Sequence, residues 1–164
     1  MAVHSFKTIQ KVPAPISEVW AFFSNPSNLQ VITPNNLGFN ILSEKEEGIY
    51  SGQIIEYTVK PLLGIPVYWM TEITHVGVEQ YFVDEQRYGP YAMWHHKHFF
   101  RQIEGGTEMV DIVHYKIPMY FIGDLVNKLV VKNKLKEIFN YRYEIVEKLF
   151  GNWPGGGEKR IIFS

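Results

Sequence analysis

Polar and apolar residues alternate along "HSFKTIQKV", residues 4–12, and the alternation stops at "PAP". A period of two puts successive side chains on opposite faces, so this stretch predicts a short strand. In "PISEVWAFFSNP" the spacing becomes helical. Val19, Trp20, Phe22 and Phe23 form an apolar face, Pro15 suits a first helical turn, and Asn25-Pro26 ends the pattern. "SNLQVI" predicts a second short helix with Ser27 as its cap. From Leu37 to Pro118 the chain is strand-like. It divides into five or six antiparallel segments at "EEG", "PLLGIP", "HVGVEQ", "RYGPYA" and "EGGT". From Gly123 to Phe150, Leu125, Leu129, Leu135, Ile138, Phe139, Ile145, Val146 and Leu149 recur at three- and four-residue steps. That periodicity predicts one continuous helix about 42 Å long.

This order implies an α+β fold. An antiparallel sheet must cover one face, and the long helix has an apolar stripe that needs a partner. A curved sheet wrapped round the C-terminal helix, with two short helices after the first strand, meets both needs and leaves room for a cavity between them. Residues 1–150 are expected to form a single domain, and 151–164 a loosely held tail.

Composition narrows the function classes. The 164 residues are 46% hydrophobic and 15% aromatic, enough for a substantial core. A formal net charge of -1 argues against nucleic acid as a partner. The absence of cysteine removes thiolate metal sites, disulfides and a cysteine nucleophile. "MAVHSFKTIQ" lacks the basic start and apolar run of a signal peptide, and no apolar run reaches the roughly 20 residues of a membrane span. A soluble, cytoplasmic protein is expected.

Chemistry concentrates in "GPYAMWHHKHFF", residues 89–100. "FFRQIEGGTEMVDI" is the strongest hairpin signal, and a two-residue Gly105-Gly106 turn pairs Glu104 with Thr107. Phe100 then faces Asp111, His98 faces Val113, His96 faces Tyr115 and Trp94 faces Ile117. Alternation places Trp94, His96, His98 and Phe100 on one face with Met109, Asp111, Val113 and Tyr115. His95, Lys97, Arg101, His114 and Lys116 fall on the other. The first set is aromatic and should face the helix; the second is charged and should face water.

Two inward histidines beside Asp111 admit three readings. Histidines at i and i+2 with a carboxylate can ligate a metal, but the sequence forces no third or fourth ligand, so no metal is expected. A histidine oriented by a carboxylate can move protons. The favoured reading is a hydrogen-bonded polar group within a partly apolar cavity. Arg142 lies on the helix stripe, where a charge needs a partner. Asp111 is the first choice, ahead of Glu56 and Asp84, unless Arg142 snorkels past the sheet edge to water. Asp84 and Gln86 face outward if Gly89-Pro90 is a two-residue turn and inward if the loop is one residue longer. The sequence does not choose.

Four proline-containing loops should gather at one end: "ITPNNLGF", "KPLLGIPVYW", "RYGPYA" and "KIPMYFIGD". They carry Leu62, Leu63, Ile65, Tyr88, Tyr91, Met119, Tyr120, Phe121 and Ile122. This rim either plugs the mouth of the fold or forms an apolar doorway that touches a membrane or a protein transiently.

The layout, with "VPAPISEVWAFFSNPSNLQVITP", "GPYAMWHHKHFF", "GGTEMVDIVHYKIP" and "IFNYR", resembles the START-like (SRPBCC, birch-pollen-allergen-like) helix-grip superfamily over about residues 3–150. Within it, the chain is similar to small bacterial proteins described as polyketide cyclase or dehydrase-like, or as ligand-binding. The resemblance implies a helix-grip fold with a hydrophobic cavity entered at the loop end. No Rieske cysteine–histidine motif is present, which removes the oxygenase branch. The expected function is binding or transport, rather than catalysis, of a small hydrophobic or amphipathic ligand such as a lipid, polyketide or isoprenoid-like molecule. Tyr57, Trp69, Trp94, His96, His98, Asp111, Tyr115, Phe139 and Arg142 are the candidate lining and anchor, with no cofactor and a monomeric or homodimeric state. The alternatives are a cyclase, dehydratase or hydrolase using His96 or His98 with Asp111, and a protein-interaction module using the rim.

Overall fold

The computed structural model describes residues 2–44, 46–60, 64–118, 130–156 and 159–164. Strand β1 (His4–Val12) leads into helix α1 (Ile16–Phe23), followed by 3-10 turns at Pro26–Gln30 and Asn35–Leu37. The meander is β2 (Asn40–Ile41), β3 (Gln53–Val59), β4 (Val67–Gly77), β5 (Tyr81–Tyr88), β6 (Met93–Ile103) and β7 (Gly106–Lys116). Helix α2 (Lys132–Phe150) and strand β8 (Arg160–Phe163) follow. The eight strands form one antiparallel sheet in the order β2-β3-β4-β5-β6-β7-β1-β8. No helix among the described residues is long and apolar enough to cross a membrane.

The α+β helix-grip architecture expected from the pattern is present. α1 buries Val19 and Phe23, while Trp20 packs edge-on against Phe82 and Phe100 from the sheet. Pro15 sits at the cap position, not inside the first turn. The next turn is capped by Asn25, whose side chain accepts from the Ser27 backbone N–H, so Ser27 is capped and is not the cap. α2 turns Leu135, Phe139, Arg142, Tyr143 and Val146 inward, while Leu149 is exposed. The helix expected from Gly123 is described only from Val130 onward; its beginning lies outside the described residues.

Two further expectations are corrected. The segment expected to hang as a loose tail adds an edge strand, with Phe6 opposite Phe163 and Ile9 opposite Arg160. Tyr143 fastens it by donating its hydroxyl to the Arg160 carbonyl at 2.8 Å. The β6–β7 turn is Glu104-Gly105, one residue earlier than Gly105-Gly106. Gly105 takes the left-handed φ of +83°, and a Cβ on Gly106 would strike the Val12 carbonyl. The two glycines therefore serve different needs, turn geometry at Gly105 and close approach to β1 at Gly106. The register shifts by two residues, so each side chain keeps its face. His98 becomes the direct partner of Asp111, and Trp94 the partner of Tyr115.

Candidate functional site

Sheet and α2 enclose a cavity of about 230 Å³. Its walls are mainly apolar. β3 and β4 contribute Ile55, Tyr57 and Trp69, α1 contributes Phe23, and α2 contributes Ile138 and Phe139. Tyr57 stacks on Trp69, whose ring also meets Trp94 and Tyr91 edge-on at 5.6 Å each. The indole N–H of Trp69 is buried and without a partner among the described residues.

One part of the wall is polar, formed by Asp84, His96, His98 and Arg142 with Thr71 nearby. Strand alternation accounts for it. β5 and β6 pair Asp84 with His96 and Phe82 with His98, the register that turns Asp84 inward. The β5–β6 loop spans 89–92 and is closed by Gln86, which donates to the Tyr91 carbonyl at 2.7 Å and accepts from its N–H at 3.2 Å. Gln86 thus holds the loop, and Asp84 alone of the two joins the histidines.

Each imidazole lies between two carboxylates. His96 Nε2 is 3.1 Å from Asp111 Oδ1, and its Nδ1 is 3.5 Å from Asp84 Oδ2. His98 Nε2 is 2.7 Å from Asp84 Oδ2, and its Nδ1 is 2.8 Å from Asp111 Oδ1 but off the line a hydrogen bond requires. The two rings are 3.7 Å apart between centroids, and His98 stacks on Phe82. Asp111 also accepts from the Thr8 hydroxyl at 3.0 Å and faces Arg142 Nη2 at 3.6 Å. The Arg142 guanidinium lies over the rings of Phe23 and Phe139. Arg142 is thus buried and paired, not snorkelling.

These neighbours set the charge states. Burial opposes ionisation of Asp111, but Arg142 and the two histidines outweigh it and hold the carboxyl well below its ordinary range. For Asp84 burial is likewise outweighed, by His96 and His98, and its pKa is lowered. Burial and the neighbouring His98 depress His96. His98 is raised, because its contacts with Asp111 and Asp84 exceed the burial penalty. The site favours one imidazolium beside one neutral imidazole.

Of the nine residues expected to line or anchor, Tyr57, Trp69, Trp94, His96, His98, Phe139 and Arg142 line the cavity. Asp111 and Tyr115 do not. Asp111 stands behind the histidines, and Tyr115 is fully buried among Phe6, Tyr91 and Trp94. Among the rim residues, Ile65 and Tyr88 are exposed, while Tyr91 turns into the cavity. Leu62, Leu63, Met119, Tyr120, Phe121 and Ile122 lie outside the described residues. Thr8 was missed: nothing in "FKTIQ" marks it, although its inward parity on β1 and its place opposite Asp111 follow once β1 is paired with β7. Glu56 is engaged by the Tyr68 hydroxyl, away from Arg142.

No protein-family model and no curated relative matches the sequence. Solved structures do match its fold. A START superfamily protein from Mycobacterium smegmatis aligns with a TM-score of 0.64 at 13% identity, covering 89% of this chain and 99% of that one. Protein CV1439 from Chromobacterium violaceum aligns with a TM-score of 0.69 at 10% identity, over 91% and 98% of the two chains. Ara h 8.0201 aligns with a TM-score of 0.60 at 18% identity, over 90% and 99%. The chain has the START-like helix-grip fold.

Proposed function

We propose that this protein binds a small hydrophobic or amphipathic molecule, of the lipid, polyketide or isoprenoid kind, in the cavity between the sheet and α2. The observation that carries this is the division of the cavity wall. Aromatic and aliphatic side chains supply apolar burial, and Asp84, His96, His98 and Arg142 form one polar wall that can orient a single polar group. Trp69, in the aromatic part of the lining, adds a buried N–H without a partner among the described residues, and buried donors normally find partners. The START-like fold of the similar structures agrees with a binding role. Tyr57, Trp94 and Phe139 are read as lining, with Asp111 and Tyr115 as support behind it.

Native mass spectrometry of protein purified without denaturant tests this. A small apolar adduct is expected, and Ile138→Trp, which places an indole in the cavity, should lose it while remaining folded. A wild-type protein free of adduct that also fails to take up a fluorescent apolar probe would end the reading.

A second reading has one specific support. Two adjacent histidines whose pKa values move in opposite directions resemble an acid–base pair. A cyclase, dehydratase or hydrolase would use His96 to accept a proton and His98 to donate one. Turnover of a bound carbonyl compound that is lost in His96→Gln, with the compound still bound, is its test.

A further inference from the structure

Four nitrogen–carboxylate contacts surround His96 and His98, and the two rings cannot satisfy them all as neutral groups. A neutral imidazole has one N–H and one lone pair. With a carboxylate oxygen at both nitrogens, each ring can donate to one and must turn a lone pair toward the other. Asp84 Oδ2 lies on one side, 3.5 Å from His96 Nδ1 and 2.7 Å from His98 Nε2. Asp111 Oδ1 lies on the other, 3.1 Å from His96 Nε2 and 2.8 Å from His98 Nδ1. His98 Nδ1 is buried and makes no hydrogen bond among the described residues despite that short distance.

Protonation of His98 would meet its two contacts and leave His96 Nδ1 facing Asp84; a cation on the Asp84 side meets all four with both rings neutral. Asp84, His96 and His98 each offer a ligand atom, all within 4.8 Å of one another. If His96 Nδ1 and His98 Nε2 turn lone pairs to a metal, the remaining N–H of His96, at Nε2, donates to Asp111, and that of His98, at Nδ1, lies 2.8 Å from the same oxygen and aligns with it after a small ring rotation. Ligating histidines commonly donate their second N–H to a carboxylate that is itself held in place. Asp111 is so held, by Thr8 and Arg142. Asp84, His96 and His98 line the cavity and Asp111 does not, so open coordination positions would face the cavity. Bonds of about 2.0–2.2 Å place ligand atoms about 3.0–3.5 Å apart, from octahedral to tetrahedral geometry. The Asp84–His98 pair, at 2.7 Å, must open by about 0.3–0.8 Å to reach that range, and the Asp84–His96 pair, at 3.5 Å, already has room.

We propose that Asp84, His96 and His98 form a site for one divalent first-row transition-metal cation at the polar wall of the cavity, with Asp111 as the carboxylate that orients both histidines. Two imidazoles with one carboxylate suit zinc or iron(II) better than magnesium or calcium, which prefer all-oxygen shells. This reverses the expectation from sequence. The third ligand was absent there because Asp84 reaches the pair only through the β5–β6 register.

The site is independent of the ligand-binding reading and can be tested on the cavity-empty protein. Full-length protein is stripped with chelator and titrated with cobalt(II), followed by visible absorption and thermal unfolding. Saturation at one equivalent, a rise in Tm and displacement by zinc are expected. Asp84→Asn and His98→Ala should lose the absorption band with circular dichroism unchanged. His95→Ala, on the outward face beside Glu85, should keep it. Asp111→Asn should keep the stoichiometry and weaken affinity about 10–100-fold. Should the site variants unfold, paramagnetic broadening of the His96 and His98 ring resonances in wild type, with His95 and His114 unaffected, carries the same information. No saturable binding below about 1 mM, binding that survives Asp84→Asn, or broadening at His95 and His114 instead would overturn the site. Apolar-probe binding measured in chelator reports on the cavity separately.

Discussion

Arg142 on α2 and Asp111 on β7 face each other at 3.6 Å, both more than nine-tenths buried. The separation makes this an ion pair and not a hydrogen bond. Each end has further support, with Thr8 on the carboxylate and two aromatic rings under the guanidinium. The pair links the long helix to the sheet at the place where the cavity becomes polar.

Removing one end strands the other. Arg142→Leu should destabilise by about 3–5 kcal/mol, the usual cost of breaking a buried pair from one side. Adding Asp111→Asn should recover part of that loss, because the stranded carboxylate is then neutral. Urea unfolding of the wild type, both single variants and the double variant, with the cavity empty, gives the coupling energy; a value of zero would show that the two residues act independently.

Stability should fall on both sides of neutrality. His98 has a raised pKa in the fold, so its contribution is complete below 6.5 and is lost as pH rises through the folded value. His96 is depressed, so stability declines as pH falls from 6.5 toward its folded value. Asp84 and Asp111 lie below 3.8, and their contribution is present above that pH and lost as pH falls through their folded values. Urea midpoints across pH in chelator should show a decline on the alkaline side that is absent in His98→Asn.

The two turn glycines should differ. Gly105→Ala forces a side chain into the left-handed region, at a cost of about 1–2 kcal/mol. Gly106→Ala drives a methyl into the Val12 carbonyl and the Pro13 backbone, so β7 or β1 must move. Chemical denaturation should rank Gly106→Ala as the more damaging.

Strand β8 depends on Tyr143. Tyr143→Phe removes the hydroxyl that donates to Arg160, at a cost of about 0.5–1.5 kcal/mol. Hydrogen exchange should show the loss concentrated in the β1–β8 ladder, with β6 and β7 retaining their protection. Uniform loss of protection across the sheet would contradict this local role.

Much of this was legible because it rests on period. Alternation in β1 matches His4–Val12 residue for residue. The inward set Trp94, His96, His98 and Phe100 survives a two-residue error in register, because a shift by two preserves faces. Arg142 declared itself as a charge within an apolar stripe, and Asp111 as the inward carboxylate opposite.

What stayed hidden depends on which strands meet and how long their loops are. Asp84 reaches the histidines only because the β5–β6 loop runs from 89 to 92, and a loop shorter by one residue would have turned it to water. Thr8 reaches Asp111 only because β1 crosses to the far side of β7, a pairing between residues 103 apart in sequence. The tail's four-residue strand had no alternation to announce it and exists because β1 offered an unpaired edge. Local pattern determined the elements, their faces and the presence of a buried polar group. Tertiary pairing alone decided that the group holds two carboxylates rather than one, because strand register is fixed by contacts that no window of neighbouring residues contains.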